Sequence, residues 1–134
     1  MSSIFTRIIK GEIPCYKVAE NDDFIAFLDH SPMVKGHTLV VPKVEIDYIF
    51  DQDDTTLAGI MPFSKRVAKA IEAVVPCGRI CVAIIGLDVP HTHIHLVPTN
   101  RMSDFNFKNK YPMSAEEMTT LAADIFAKFK EEVD

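Results

Sequence analysis

A chain of 134 residues with 48% hydrophobic and 25% charged side chains has a globular composition, and its length suits one domain, residues 1–134, with a real core. The formal net charge of −5 gives no basic footprint for DNA or RNA, so no nucleic-acid partner is expected, while a small anion held by local dipoles is compatible with it. Apolar runs such as Cys81–Gly86 are too short to span a bilayer, the N-terminus carries no signal-like apolar region, and Cys15, Cys77 and Cys81 lack a paired metal spacing, so a cytoplasmic protein with reduced thiols is expected.

In chain order, Ile4, Phe5, Ile8 and Ile9 make a short amphipathic helix that Gly11 and Pro14 stop. Tyr16–Glu20 and Phe24–Asp29 read as strands paired across the turn Asn21-Asp22-Asp23. After the breaks at Ser31-Pro32 and Lys35-Gly36, His37–Pro42 reads as a third strand. The acidic cluster Asp51–Asp54 opens a long helix whose stripe is Leu57, Ile60, Met61, Val67, Ala68, Ile71, Val74 and Val75. Pro62 lies within it, so the helix either kinks there or begins its regular part there. Pro76 and Gly78 end it.

Arg79–Ile85 and His91–Val97 read as the fourth and fifth strands, joined by Gly86-Leu87-Asp88-Val89-Pro90. Arg101–Pro112 is polar with scattered aromatics and reads as a loop. Ser114-Ala115-Glu116-Glu117 is a capping box for a last helix reaching about Glu132, with Met118, Leu121, Ala122, Ile125 and Phe129 on its inner face. The order of strands and helices predicts an α+β fold with an antiparallel sheet.

The chemistry concentrates in His91-Thr92-His93-Ile94-His95-Leu96-Val97-Pro98. Alternation along a strand puts His91, His93 and His95 on one face, ~6–7 Å apart per step, with Thr92, Ile94 and Leu96 turned towards a core. Three readings of that face stand side by side: solvated histidines, a metal site built from alternating imidazoles, or a nucleophilic histidine with two helpers. Imidazole suits the third because its neutral form is abundant near pH 7. Spacing alone does not separate the second reading from the third.

His91-Thr92-His93-Ile94-His95-Leu96 followed by Val97-Pro98 resembles the motif of the histidine triad family of nucleotide hydrolases and transferases. The likeness extends through Ile4-Phe5, Ile8–Pro14, Phe24–Asp29, Ser31-Pro32 and Gly36–Lys43, and covers about residues 4–100. It is nearest to the compact branch of nucleoside phosphoramidases. The resemblance implies a five-stranded antiparallel sheet with one long helix packed on it, and a homodimer in which two sheets join.

It also implies roles. His93 would attack the α-phosphorus of a nucleoside phosphoramidate, ester or anhydride, giving a nucleotidyl-histidine that water hydrolyses to a nucleoside monophosphate. His95 would donate to a phosphate oxygen and His91 would fix local geometry, with a carbonyl orienting the His93 ring. Backbone amides at Leu87, Asp88 and Val89 would add donors. Asp29 would hold the ribose hydroxyls, with a turn aspartate as the plain alternative. Phe5, Ile8, Phe27 and Leu28 would wall the base pocket of a purine nucleotide, although core packing explains each of them singly. His37 falls where family members keep a histidine near the site. No cofactor and no metal enter this scheme.

Departures from the family pattern matter. Zinc-bearing members use two early cysteines, a histidine after the third strand and the first triad histidine; here those positions hold Ser3, Thr6, Glu45 and His91, too few ligands for a closed site. The family's Gly-Gln-Ser/Thr lead-in appears as Gly86-Leu87-Asp88, which places a carboxylate where a hydroxyl is usual and points to a different leaving-group preference. The other readings that stay open are a nucleotide-binding or scaffold protein with incidental hydrolysis, a dinucleoside polyphosphate hydrolase, and a metal-dependent hydrolase using His91, His93 and His95 as ligands.

Overall fold

The computed structural model describes residues 2–133, so Met1 and Asp134 of the expected domain span lie outside the described residues. Helix α1 (Ile4–Ile9) is followed by strands β1 (Lys17–Glu20), β2 (Phe24–Leu28) and β3 (Thr38–Pro42), then α2 (Asp54–Val74), β4 (Arg79–Ala83), β5 (Ile94–Thr99) and α3 (Ala115–Val133). The five strands form one antiparallel sheet in the order β1-β2-β3-β5-β4. This is the expected α+β architecture.

Local chemistry explains the element ends. Asn21 Oδ1 accepts from the amides of Asp23 and Phe24, at 2.9 and 2.8 Å, and so turns β1 into β2. Asp53 caps α2 by accepting from Thr56 N at 2.7 Å. The capping box before α3 is complete: Glu117 N donates to Ser114 Oγ at 3.1 Å, and Ser114 N donates to Glu117 Oε1 at 2.8 Å.

The sheet has two differently covered faces. On one, Val18, Ala26, Leu28, Val40, Ile94 and Leu96 pack against α2 and α3. On the other, Phe5 of α1 lies over Ile25, Phe27, Leu39 and Val41. Gly59 of α2 lies directly over β2, where an added Cβ would stand 3.2 Å from the Phe24 ring. The helix thus packs closely on one face and leaves the other to the thin cover of α1. The functional groups lie on that second face.

Several expected boundaries move. α2 continues through Pro62, and its buried stripe is Ile60, Phe63, Ser64, Val67, Ala70 and Ile71; Met61 is turned outwards. Phe63 is three residues after Ile60 and four before Val67, so it shares their face. β4 stops at Ala83, and the exposed Ile84 and Ile85 leave the sheet ahead of Gly86, whose φ is +74°. β5 starts at Ile94 and not His91, and it runs past Pro98 to Thr99. Its ladder with β3 ends at the Thr38–Leu96 pair, so a proline at 98 removes no bond to β3.

Candidate active site

His91 and His93 therefore precede the sheet, and only His95 lies within β5. The alternation of faces nevertheless holds. Ile94 and Leu96 enter the helix-side core, while the rings of His93 and His95 stand 5.1 Å apart, edge to face. Thr92 enters no apolar core: its hydroxyl donates to Ile46 O at 2.8 Å and accepts from Gln52 Nε2 at 3.0 Å.

Each ring has its tautomer set by a partner whose role is unambiguous. A carbonyl can only accept, so His91 Nε2 carries the proton it gives to Pro42 O at 2.7 Å, and His91 Nδ1 is left to accept from Ser3 Oγ at 2.8 Å. By the same rule His93 Nδ1 carries the proton it gives to His91 O at 2.7 Å, which leaves Nε2 with a free lone pair. Met33 N donates to His37 Nδ1 at 3.2 Å, so His37 holds its proton on Nε2, which donates to His95 Nδ1 at 2.9 Å. His95 consequently keeps a proton on Nε2. An acceptor nitrogen and a donor nitrogen thus stand on neighbouring rings.

Burial favours the neutral form of His95, His37 and His91. It is the main cause that lowers His95 to about 4, assisted by the fields of His37 and His93. His37 and His91 are lowered for the same first reason, opposed in His37 by the Asp29 carboxylate and in His91 by the Pro42 carbonyl and Glu45.

These groups open on a cavity of about 760 Å³, a size that holds a nucleotide-like ligand. His93, His95, His37 and Asp29 line it, as do Phe5, Ile8, Phe27, Leu28, Leu87, Asp88 and Val89. Leu28 also belongs to the helix-side core, and Leu87 is 88% exposed at the mouth. Asp29 uses Oδ1 to accept from Ser31 N at 2.9 Å, while Oδ2 stands 3.7 Å from His37 Nε2. Asp29 thus makes a turn bond and also lines the cavity.

His91 is the exception among the expected site residues. It does not line the cavity, is 0% exposed, and has both ring nitrogens engaged by protein groups. That arrangement removes the three-imidazole metal reading, because His91 offers no free donor atom and His93 offers only Nε2. A second set, Asp29, His37 and His95, brings one ligand atom each within 4.8 Å of the others. It does not suit a metal either. His37 Nε2 is committed as an N–H donor by the Met33 amide on the opposite side of its ring. The zinc-type positions fit no better: Ser3 Oγ and Thr6 Oγ1 are alcohols, each bonded within the protein at 2.8 Å to His91 Nδ1 and 2.6 Å to Glu45 Oε1 respectively.

The cavity wall also includes residues that periodicity does not single out. Met33 and Leu39 belong to it, as do Phe107 and Lys110 from the segment read as a plain loop. Phe107 stands edge-on to His95 with ring centroids 5.1 Å apart and to Phe105 at 5.7 Å. Tyr111 N anchors the segment by donating to Pro32 O at 2.8 Å. Two phenylalanines in an otherwise polar stretch were the available signal.

Residues 10–102 match the HIT domain family. Across 97% of this chain and 100% of its own length, an adenosine 5′-monophosphoramidase of Schizosaccharomyces pombe is 37% identical. A HIT-like protein of Bartonella henselae, described as involved in cell-cycle regulation, superposes with a TM-score of 0.82 at 31% identity over 95% of this chain and 96% of its own. A zinc-bound histidine triad family protein of Mycobacterium smegmatis gives 0.82 at 27% identity over 98% and 95%.

Proposed function

This chain belongs to the HIT family, and from that premise we propose that it is a nucleotide hydrolase acting at the α-phosphate of a nucleoside phosphoramidate or phosphoanhydride through a nucleotidyl-histidine. One observation carries the reading. The proton on His93 Nδ1 is held by the His91 carbonyl at 2.7 Å, so the lone pair on Nε2 is directed to the cavity, beside the N–H of His95.

In the first step, the bond from His93 Nε2 to phosphorus forms as the bond from phosphorus to the leaving nitrogen or oxygen breaks. The leaving group departs with that electron pair and takes up a proton. In the second step, a water oxygen bonds to phosphorus, the N–P bond breaks, the proton passes to solvent, and a nucleoside monophosphate is released. His95 Nε2–H donates to a non-bridging oxygen through both steps, and the amides of Leu87–Val89 supply further donors. His91 stands behind the nucleophile as its positioning residue. Asp29 Oδ2 holds the ribose hydroxyls, and Phe5, Ile8, Phe27 and Leu28 wall the purine, with His37 behind His95.

Asp88 lines the same cavity with a carboxylate, which disfavours a highly anionic leaving group unless that carboxylate is protonated or holds a donor. This weighs against the dinucleoside polyphosphate alternative and makes the leaving group the point at which a departure from the family pattern is proposed. A homodimer is part of the reading: β4 is an edge strand whose Val82 is exposed, and Ile84, Ile85 and Met61 add exposed apolar surface. The cytoplasm is the proposed compartment, in keeping with the free thiols of Cys15, Cys77 and Cys81. Among the described residues no helix is long and apolar enough to cross a membrane.

The test is intact-protein mass spectrometry after brief incubation with an adenosine phosphoramidate, in wild type and His93→Ala, with a chelator present. A wild-type adduct of one AMP, absent in His93→Ala, together with turnover, supports the covalent route. AMP binding with neither adduct nor turnover would move the assignment to a nucleotide-binding module.

A further inference from the structure

His91 is fully buried outside the cavity, and its far side meets Ser3 and Thr6, which Glu45 ties together; the reaction scheme uses none of the three. Ser3 Oγ accepts from Thr6 N at 3.1 Å and donates to His91 Nδ1 at 2.8 Å. Glu45 Oε1 accepts from Ser3 N at 2.7 Å and from Thr6 Oγ1 at 2.6 Å. Three distant stretches of chain, the start of α1, the turn after β3 and the approach to β5, thus close on one imidazole.

We propose that Ser3, Thr6 and Glu45 form a metal-free clasp that positions the His93 nucleophile through His91. The proposal rests on the reading that His93 attacks phosphorus. A closed zinc site at these positions would need thiolates or imidazoles, and the chemistry here is of another kind. Two of the three clasp residues are alcohols, which keep their protons at neutral pH, and each proton has a protein acceptor. The lone pair a metal would need on His91 Nδ1 is taken by Ser3.

The route from clasp to nucleophile is short. The His91 ring is held at both nitrogens, by Ser3 on one side and by Pro42 O on the other. The backbone around it is held by His91 N donating to Val89 O at 2.8 Å and Thr92 N donating to Ile46 O at 2.7 Å. The carbonyl of this restrained residue is the one that accepts from His93 Nδ1 and sets which nitrogen attacks. In parallel, the clasp fixes α1, and Phe5 of α1 contacts the His93 ring edge-on with centroids 5.0 Å apart. Loosening the clasp therefore releases the acceptor of His93 and the ring that limits its rotation.

A purely structural brace and a positioning device are separated by reading His93 itself. In ¹⁵N-labelled protein, the imidazole nitrogens of His93 report the tautomer without any need for substrate. Ser3→Ala and Glu45→Ala are expected to replace a single His93 tautomer by an averaged one and to lower kcat by about 10-fold, with KM changed by less than about twofold, the split expected when a reacting group is misplaced but the binding pocket is kept. Glu45→Gln, which retains an acceptor oxygen, is expected to recover most of kcat and the single tautomer, and it covers the case in which Glu45→Ala fails to fold. A lowered Tm with wild-type kcat and an unmoved His93 tautomer would overturn the proposal. So would a zinc-dependent rise in Tm of the wild-type protein that Glu45→Gln abolishes. If wild type turns over no nucleotide, the hydrolase reading fails, while the His93 tautomer in the variants still decides whether the clasp acts on that ring.

Discussion

His37 Nε2 stands 2.9 Å from His95 Nδ1, and the Met33 amide on the far side of His37 dictates which of the two nitrogens holds the proton. A backbone N–H at the Met33 turn is thereby relayed across two rings into a defined N–H on His95 Nε2, the group proposed to meet the phosphate. His37→Ala should leave His95 free to exchange tautomers. The expected outcome is a fall in kcat of about 10–100-fold, the scale of a misdirected hydrogen-bond donor, with a much smaller rise in KM. Steady-state kinetics with an adenosine phosphoramidate checks it; a change confined to KM would show that His37 only shapes the pocket.

His95 also has a consequence for stability against pH. Burial lowers it to about 4 in the folded protein from an ordinary value near 6.5. Between those values the unfolded chain binds a proton that the folded one refuses, so stability falls as pH drops through that window and levels off below it. His37 and His91 are displaced in the same direction and steepen the fall. Tm measured from pH 7 to 4 should decline in wild type and decline less in His95→Gln. Equal slopes would mean that His95 titrates normally in the fold.

Most of the framework was legible because its signals are local. The Asn21 turn, the Asp53 cap and the Ser114–Glu117 box are short-range hydrogen bonds written in adjacent residues, and the alternation around Ile94 and Leu96 shows which side of β5 meets the helices. The separation of His91 from the cavity was not legible, since it depends on Ser3, 88 positions away in the chain. Nor were Phe107 and Lys110: a loop's course over a site is decided by anchors such as Tyr111 N on Pro32 O, which leave no periodic trace. The early end of β4 and the outward turn of Met61 follow from where Gly86 and Phe63 find room, which is a matter of tertiary packing.

Asp88 bears on the leaving group. Its carboxylate shares the cavity wall with His93, and a polyphosphate leaving group would bring further negative charge to the same mouth. Asp88→Ser should raise kcat/KM for a dinucleoside polyphosphate about 10-fold relative to the value for an adenosine phosphoramidate, the size of one like-charge contact relieved near a surface. Comparing phosphoramidate, dinucleoside polyphosphate and sugar-nucleotide turnover in the two proteins is the measurement. Unchanged ratios would sink the idea that this position selects the leaving group.

Lys110 presents the opposite charge. Among the described residues that line the cavity it is the one lysine or arginine, and its field reaches far enough inside to push His37 down alongside burial. Burial pushes His37 and His95 down, so neither of these two rings adds a full positive charge to the cavity wall near neutral pH. A cation at the rim of a low-dielectric cleft acts mainly on capture of an anion, and salt weakens it over a distance of about 8–10 Å at physiological strength. Lys110→Gln should therefore raise KM for a nucleotide substrate by about 3–10-fold, lower kcat far less, and flatten the dependence of kcat/KM on ionic strength. Lys110→Arg should retain most of the wild-type salt dependence. A Lys110→Gln protein with the full wild-type salt response would show that the charge drawing nucleotides to this cavity comes from somewhere other than the segment joining β5 to α3.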